Sequence, residues 1–413
     1  MKTLATVCSL VLVAGLGTAA LVFAGPLAPP GGPVASTYKT LTEIEPRIAI
    51  NGTNTPGDAN STYVISQPGS YYLTGNVNAF NKNGIRIASS GVRLDLNGFQ
   101  INAGGGAFAG VTCVNFSPNQ CSVSNGTIAG FASGGVVVSG ATNARVSNVK
   151  VTGCGVVGID VGYYGTATDC DASDGTGVGF VWNDSSKFAR CQATFNSGGG
   201  FIAAAGSTTF NDCSASHNTG DGFQTNNAVL TGCVSDTNGG FGFVSTYADL
   251  YTNCRAGYNT KSGFVPSNLA TFDGCTAVQN KQLGINAGAL ATVRNCNVAG
   301  STNQGVRVTE RSTVIGNQLR YNGNSGPFTA IWCTGDYNHV EGNQAVGNGF
   351  GIFVSGTNNT IVRNVCSNSL SSNYSVVAGN RVGTVTPGTT NAAISGNAGG
   401  GMSITDPNAN LAF

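Results

Sequence analysis

Seven cysteines recur at nearly constant spacing through the middle of the chain: Cys170, Cys191, Cys213, Cys233, Cys254, Cys275 and Cys296, with gaps of 21, 22, 20, 21, 21 and 21 residues. A second column keeps step with them: Phe180, Phe201, Phe223, Phe243, Phe264, Ile285 and Val306, each directly after a glycine. Two columns locked to one period restrict the chain to a stacked coil with one turn per repeat. A unit this short cannot bury its apolar face alone and must lay it on the next one.

The cysteine column extends in both directions as Phe99, Gly126 and Val149 before it and Asn317, Asn343 and Asn364 after it. Three residues earlier run Leu96, Val123, Val146, Ala167, Phe188 and Phe210, through to Val340 and Ile361; two residues later run Ile101, Ile128, Val151, Ala172 and Ala193, through to Ala345 and Cys366. Both columns are apolar or small and the residues between them are mostly polar. That is strand alternation on either side of a bend. The expected architecture is all-β, a parallel β-helix of about 13 coils, roughly 60 Å long at the ~4.8 Å strand spacing.

Five residues after the anchor stand Asn196, Asn218, Asn238, Asn259 and Asn280, then Asn322 and Asn348. Stacked amides can bond along the axis, and asparagine tolerates the left-handed turn a corner needs. The cysteine column reads as buried thiols. In-register neighbours stand ~4.8 Å apart, too far for disulfide geometry, and a straight file cannot surround one ion tetrahedrally. Cys113 and Cys121 differ because they bracket a turn between strands; there a bridge and two free thiols are equal alternatives. Cys333 and Cys366 fall on different walls and are expected to be free.

With 9% charged residues and a net charge of +1, the chain carries no strongly basic patch for nucleic acid. Lys2, the apolar run Leu10 to Leu21 and small residues up to Ala24 read as an export signal over 1–24, with the mature chain secreted or periplasmic and without a membrane span. Residues 25–62 read as a leader and N-terminal cap. Thr40 and Glu43 form a capping box, and Leu41, Ile44 and Ile48 one apolar side of a short helical lid. The β-helix is expected over 63–378 and an irregular C-terminal cap over 379–413.

Two charged patches are candidates for chemistry. Asp169, Arg190 and Asp212 share one offset on successive coils, beside Lys150 and Asp171. Such a group can supply an acid, a base and an arginine clamp to a sugar chain, and Asp169, Asp171 and Asp212 are the place for a cation, with calcium the candidate. The second patch is Glu310, Arg311, Trp332, Asp336, His339 and Glu341, with Arg363 nearby. A histidine beside a carboxylate can transfer protons, and a tryptophan can stack on a pyranose ring. The bland alternatives are a solvated charge ladder for the first and corner and core residues for the second. His217 and Asp221 on one loop form a weaker third. Two histidines leave no serine–histidine–aspartate set, no phosphate-binding glycine loop precedes a helix, and no cofactor is expected.

The stretch Gly91-Val-Arg-Leu-Asp-Leu-Asn-Gly98 with Phe99 and Ile101, and repeats such as Asn211-Asp-Cys-Ser-Ala-Ser-His-Asn218 with Gly222-Phe223, resemble right-handed parallel β-helix proteins of the pectate-lyase-like superfamily. The segments Tyr63–Asn76 and Asn373–Asn380 resemble exported bacterial members without assigned activity. The resemblance implies an elongated groove for an acidic or neutral glycan and a lyase, hydrolase or epimerase type of reaction. The Asp-Pro-His signature of alginate epimerases is missing, as are the paired aspartates and Gly-His-Gly of polygalacturonases, so no catalytic residue carries over. Two functions follow: binding or modification of extracellular polysaccharide along one face, or a non-catalytic structural or adhesive surface protein.

Overall fold

The computed structural model describes residues 45–106, 108–113, 120–203, 206–323, 328–387 and 406–413. The expected export signal and most of the expected N-terminal cap lie outside the described residues. Residues 1–46 form one unit and Arg47–Phe413 another; the second unit is a parallel β-helix.

Each coil contributes one strand to a fifteen-stranded sheet and, in most coils, two to a thirty-stranded one. The larger sheet folds at the cysteine column into two walls. In one coil Val178–Trp182 belongs to the smaller sheet, and Lys187–Ala189 and Gln192–Thr194 to the two walls of the larger. The predicted columns are the observed register. Phe180 pairs with Phe201, Phe201 with Phe223, Phe223 with Phe243 and Phe243 with Phe264. Val146, Ala167, Phe188 and Phe210 follow one another on the first wall, and Ala172, Ala193 and Ala215 on the second.

The core is a set of aromatic files. The Phe180, Phe201, Phe223, Phe243 and Phe264 rings stack with centroids 4.7–4.8 Å apart. Phe188 lies over Phe210 at 5.1 Å and Tyr251 over Phe272 at 4.9 Å. The two files meet edge to face, as between Phe201 and Phe210 at 5.6 Å. A parallel repeat near 4.8 Å is an offset-stacking distance, so strand pairing and ring stacking satisfy each other.

Asparagine ladders run along the interior. Nδ2 of Asn196, Asn218, Asn238 and Asn259 donates to Oδ1 of the asparagine one coil on, at 3.0–3.1 Å. Each of these amides also donates to a carbonyl of the coil before, such as Asn218 to Ala193 O at 3.0 Å. Two further ladders are Asn317–Asn343–Asn364–Asn410 and Asn338–Asn359–Asn380. The expected left-handed conformation is not on the asparagine. It falls one residue earlier, on Phe195, His217, Thr237, Tyr258 and Gln279, with φ from 49° to 56°. The preceding residue makes the bend while the amide side chain enters the core to reach both neighbouring coils.

Three expectations are corrected. The smaller sheet has fifteen strands rather than about 13 coils. The two additional strands, Ser61–Ile65 and Asn83–Ile87, lie before the first anchor, Phe99, and pair Tyr63 with Ile85. Leu94, not Leu96, stands opposite Val123, because Leu96 to Phe99 closes a turn of its own. At the two ends, Ile48–Ala49 is a strand paired with Tyr71 and Tyr72 rather than part of a helical lid. Arg381–Val382 and Asn410–Ala412 likewise extend the larger sheet into the expected irregular cap. No helix among the described residues is long and apolar enough to cross a membrane.

Candidate functional site

The first charged patch forms as a surface ladder. Asp169, Arg190 and Asp212 sit at the bend before the cysteine column, all left-handed with φ of 54°, 52° and 52°. On later coils Gly232, Asn253, Gly274 and Asn295 hold this position, also with positive φ. Arg190 clamps Asp169 through both guanidinium contacts, at 2.6 and 2.9 Å, and holds that carboxyl below its usual range. Both side chains are more than half exposed, so the pair contributes little to stability. Asp171 lies one wall over, 3.7 Å from Lys150. Burial pushes its carboxyl up, against the opposing charge of Lys150, and its Oδ1 has no hydrogen-bond partner among the described residues. Asp169, Asp171 and Lys150 border a depression of about 410 Å³ together with Asn125, Thr127 and Asn148. Among the described residues no three histidine, cysteine or carboxylate side chains converge to hold a metal.

The second patch is divided between two walls. His339 and Glu341 lie on one strand of the larger sheet, Nε2 to Oε2 at 2.6 Å, and Arg363 contacts the other Glu341 oxygen. Trp332 is on the smaller sheet, where Arg307 lies 5.5 Å over its ring and Phe353 stands 6.1 Å away. The corner between the walls carries Asp336, whose Oδ1 accepts the Thr357 amide at 2.6 Å, and Tyr337, under Arg311 at 5.8 Å. Glu310 gives its carbonyl to Ser312 Oγ at 3.1 Å and to the Leu290 amide at 2.8 Å. The third candidate separates too: His217 stacks on Phe195 at 4.9 Å, while Asp221 caps the Phe241 amide at 2.7 Å.

All twelve described cysteines are buried and free. All seven anchor-column thiols sit within 3.7 Å of the carbonyl two residues back. Burial pushes the Cys333 and Cys366 thiols up to about 12, which keeps them protonated and unreactive. Cys113 and Cys121 are two thiols with Sγ atoms 3.4 Å apart rather than a bridge.

Sequence reasoning missed two features. Asn286, Arg307, Trp332 and Phe353 form one outward column of the smaller sheet, with Phe350 5.7 Å from Phe353. Trp332 was visible as one of two tryptophans, but its neighbours are set by register. The Trp332 indole donates to Ser355 Oγ at 3.2 Å, which fixes its ring, and Arg307 Nε has no partner among the described residues. A groove of about 490 Å³ also runs along a corner beside Asn227, Tyr247, Asn268 and Leu269.

Two buried carboxylates lie apart from these surfaces. Asp249 is held by Thr225 Oγ1 at 2.5 Å, Tyr251 Oη at 3.0 Å and the Ala228 amide at 2.7 Å, and braces the core. Asp160 is 7% exposed between Val137 and Val181, and among the described residues only the Gly162 amide, at 2.8 Å, bonds its carboxylate. Burial pushes it up to about 6. A raised carboxyl makes the folded state hold its proton longer than the unfolded chain does. Stability therefore falls as pH rises from near 4 to 6 and stays lowered above, by ~3 kcal/mol at ~1.4 kcal/mol per unit. Asp160→Asn keeps an oxygen for Gly162. It is expected to stabilise the protein by about 1–3 kcal/mol at pH 7.5 and to change little at pH 4, as read by denaturant titration at both pH values.

No curated protein matches the chain. Among solved structures, the A-module of the Azotobacter vinelandii mannuronan C-5 epimerase AlgE6 is 18% identical at a TM-score of 0.43, covering 76% of this chain and 90% of that one. Tailspike protein 3 of bacteriophage CBA120 is 12% identical at 0.41, covering 79% and 59%. PfbA, a surface adhesin of Streptococcus pneumoniae, is 10% identical at 0.35, covering 76% and 85%. The family model for the right handed beta helix region matches residues 64–208 and 135–281, together more than half of the chain. With its parallel coils and files of stacked side chains, the chain belongs to the right-handed β-helix family.

Proposed function

We propose that this is an exported β-helix protein that binds extracellular polysaccharide along the outer face of its fifteen-stranded sheet. The observation that carries this reading is the half-buried Trp332, its ring fixed by Ser355, with Arg307 over it and Phe353 one coil on. A flat ring held in place beside a cation and a second ring is a platform for a sugar face at low entropic cost. Binding is favoured over reaction because the central carboxylates of both charged patches are ion-paired: Asp169 with Arg190, Asp171 with Lys150, and Glu341 with His339 and Arg363. The same ion pairs also suit a non-catalytic structural or adhesive surface protein. Asp169, Asp171 and Asp212, expected from the sequence to take calcium, do not converge on one point among the described residues; calcium is varied in the same assay.

The test uses the intrinsic fluorescence of two tryptophans. Trp182 is fully buried, so a change on adding glycan reports Trp332. Neutral glycans and polyuronates are titrated with and without calcium, while reducing ends and unsaturated products are followed. Trp332→Ala, which lacks the reporter and is titrated by calorimetry beside the parent, is expected to weaken binding roughly tenfold or more. No binding by any glycan, or an unchanged affinity in Trp332→Ala, overturns the reading.

A further inference from the structure

Near the N-terminal end of the thirty-stranded sheet, one outward column of the first wall reads Ser70, Arg93, Ser122, Arg145, Thr166, Lys187, Thr209 in successive coils. Cation and hydroxyl alternate without interruption. Arg93, Arg145 and Lys187 are exposed. On later coils arginines meet a carboxylate in the coil before: Arg255 bonds Asp236 and Arg294 bonds Asp273, both at 2.8 Å. Arg93, Arg145 and Lys187 form no ion pair with any described residue, and the undescribed loop 114–119 contains no carboxylate. The outward column beside them holds Asp95, engaged by Arg47, and then Ser124, Ser147, Thr168, Ala189 and Asn211, all uncharged. The carboxylate on the adjoining corner, Asp184, accepts from Ser185 Oγ at 2.8 Å. Between Arg93 and Arg145 the surface sinks into a cleft of about 480 Å³, walled by Ser122, Gln120 and Asn143.

We propose that this row is a binding site for a linear polyanion that carries its oxyanion on every second sugar ring. The cations stand two coils apart, roughly 9–10 Å at the parallel-strand spacing. That is close to the length of a disaccharide unit in an extended glycan. A guanidinium presents a fork of donors to a carboxylate or a sulfate, and the intervening hydroxyls meet the uncharged ring. A chain charged on every ring places its alternate anions over Ser122 and Thr166, where no cation stands. The row therefore selects the alternating chain over the uniformly charged one. This site lies on a different wall from Trp332 and does not rest on the function proposed above.

The experiment is calorimetric titration of the full chain with three probes of equal length: a hyaluronan oligosaccharide, charged on alternate rings; an oligogalacturonate, charged on every ring; and an uncharged cello-oligosaccharide. A κ-carrageenan oligosaccharide, with a sulfate on alternate rings and no carboxylate, separates sulfate from carboxylate as the favoured anion. The alternating chains are expected to bind more tightly than oligogalacturonate, with affinity falling as salt rises. Arg93→Ala, Arg145→Ala and Lys187→Ala are each expected to lower that affinity roughly tenfold. Arg320→Ala, an exposed arginine elsewhere, and Trp332→Ala are expected to leave it unchanged. The proposal is overturned if oligogalacturonate binds as tightly as the alternating chains or no charged probe binds. It also fails if the three row variants match the parent, or if Arg320→Ala loses as much as they do.

Discussion

Phe201→Ala is expected to destabilise the protein by about 4–5 kcal/mol, at the upper end for a large-to-small change in a core. Phe201 is fully buried, stacked on Phe180 and Phe223 at 4.7 Å each, and met edge to face by Phe188 at 5.9 Å and Phe210 at 5.6 Å. Its removal forfeits burial of ~2–3 kcal/mol and contacts with four rings. The cavity cannot collapse, because parallel pairing on both sides fixes the coil spacing. Guanidinium denaturation followed by far-UV circular dichroism reads the loss, and Phe201→Leu should recover more than half of it. A cost under ~1 kcal/mol for the alanine variant would mean that the files are not packed as described.

Asn238→Ala is expected to cost about 3–5 kcal/mol, as much as losing an aromatic ring although the side chain is small. Its Nδ2 donates to Ala215 O, Ser235 Oγ and Asn259 Oδ1 at 3.0–3.1 Å, and its Oδ1 accepts from the Asn218 amide and Asn218 Nδ2. All of these sit where side chains are 0–2% exposed. Alanine leaves buried donors and acceptors in three coils without partners, each costing ~1–3 kcal/mol where water cannot enter. Asn238→Asp should be at least as damaging, since a carboxylate cannot donate to the three acceptors and brings a buried charge. Hydrogen exchange would then show lost protection at Asn218 and Asn238 first; protection lost evenly over the rod would refute the local account.

The winding was legible because a coil is a constraint repeated many times. Cys191 and Cys213, or Phe201 and Phe223, reveal their register by spacing alone. Where a feature occurs once, spacing is silent. The two extra residues around Leu96 move the pairing to Leu94, and nothing in the period announces them. The ends were misread because they lack the markers: Ile48 pairs with Tyr71 and Asn410 with Val385, but neither coil carries the cysteine or the Gly-Phe pair that reveals the period. The charged patches show a different limit. Trp332 and His339 are seven residues apart in sequence, yet a corner puts them on separate sheets. Arg93, Arg145 and Lys187 are far apart in sequence, yet they fall in one row because each skips a coil.

The amide ladders also give the rod a direction. Asn196, Asn218, Asn238 and Asn259 each send both the backbone and the side-chain N–H forward, onto the oxygen of the winding that follows. A winding without a successor is therefore left with two open donors. Such a lattice needs a terminator. Asn380 and Asn410 turn their amides back, onto Gly356 and Val377 carbonyls in one case and Ile361 and Gly383 carbonyls in the other. The aperiodic tail thereby seals two of the three files against continuing into a neighbouring molecule.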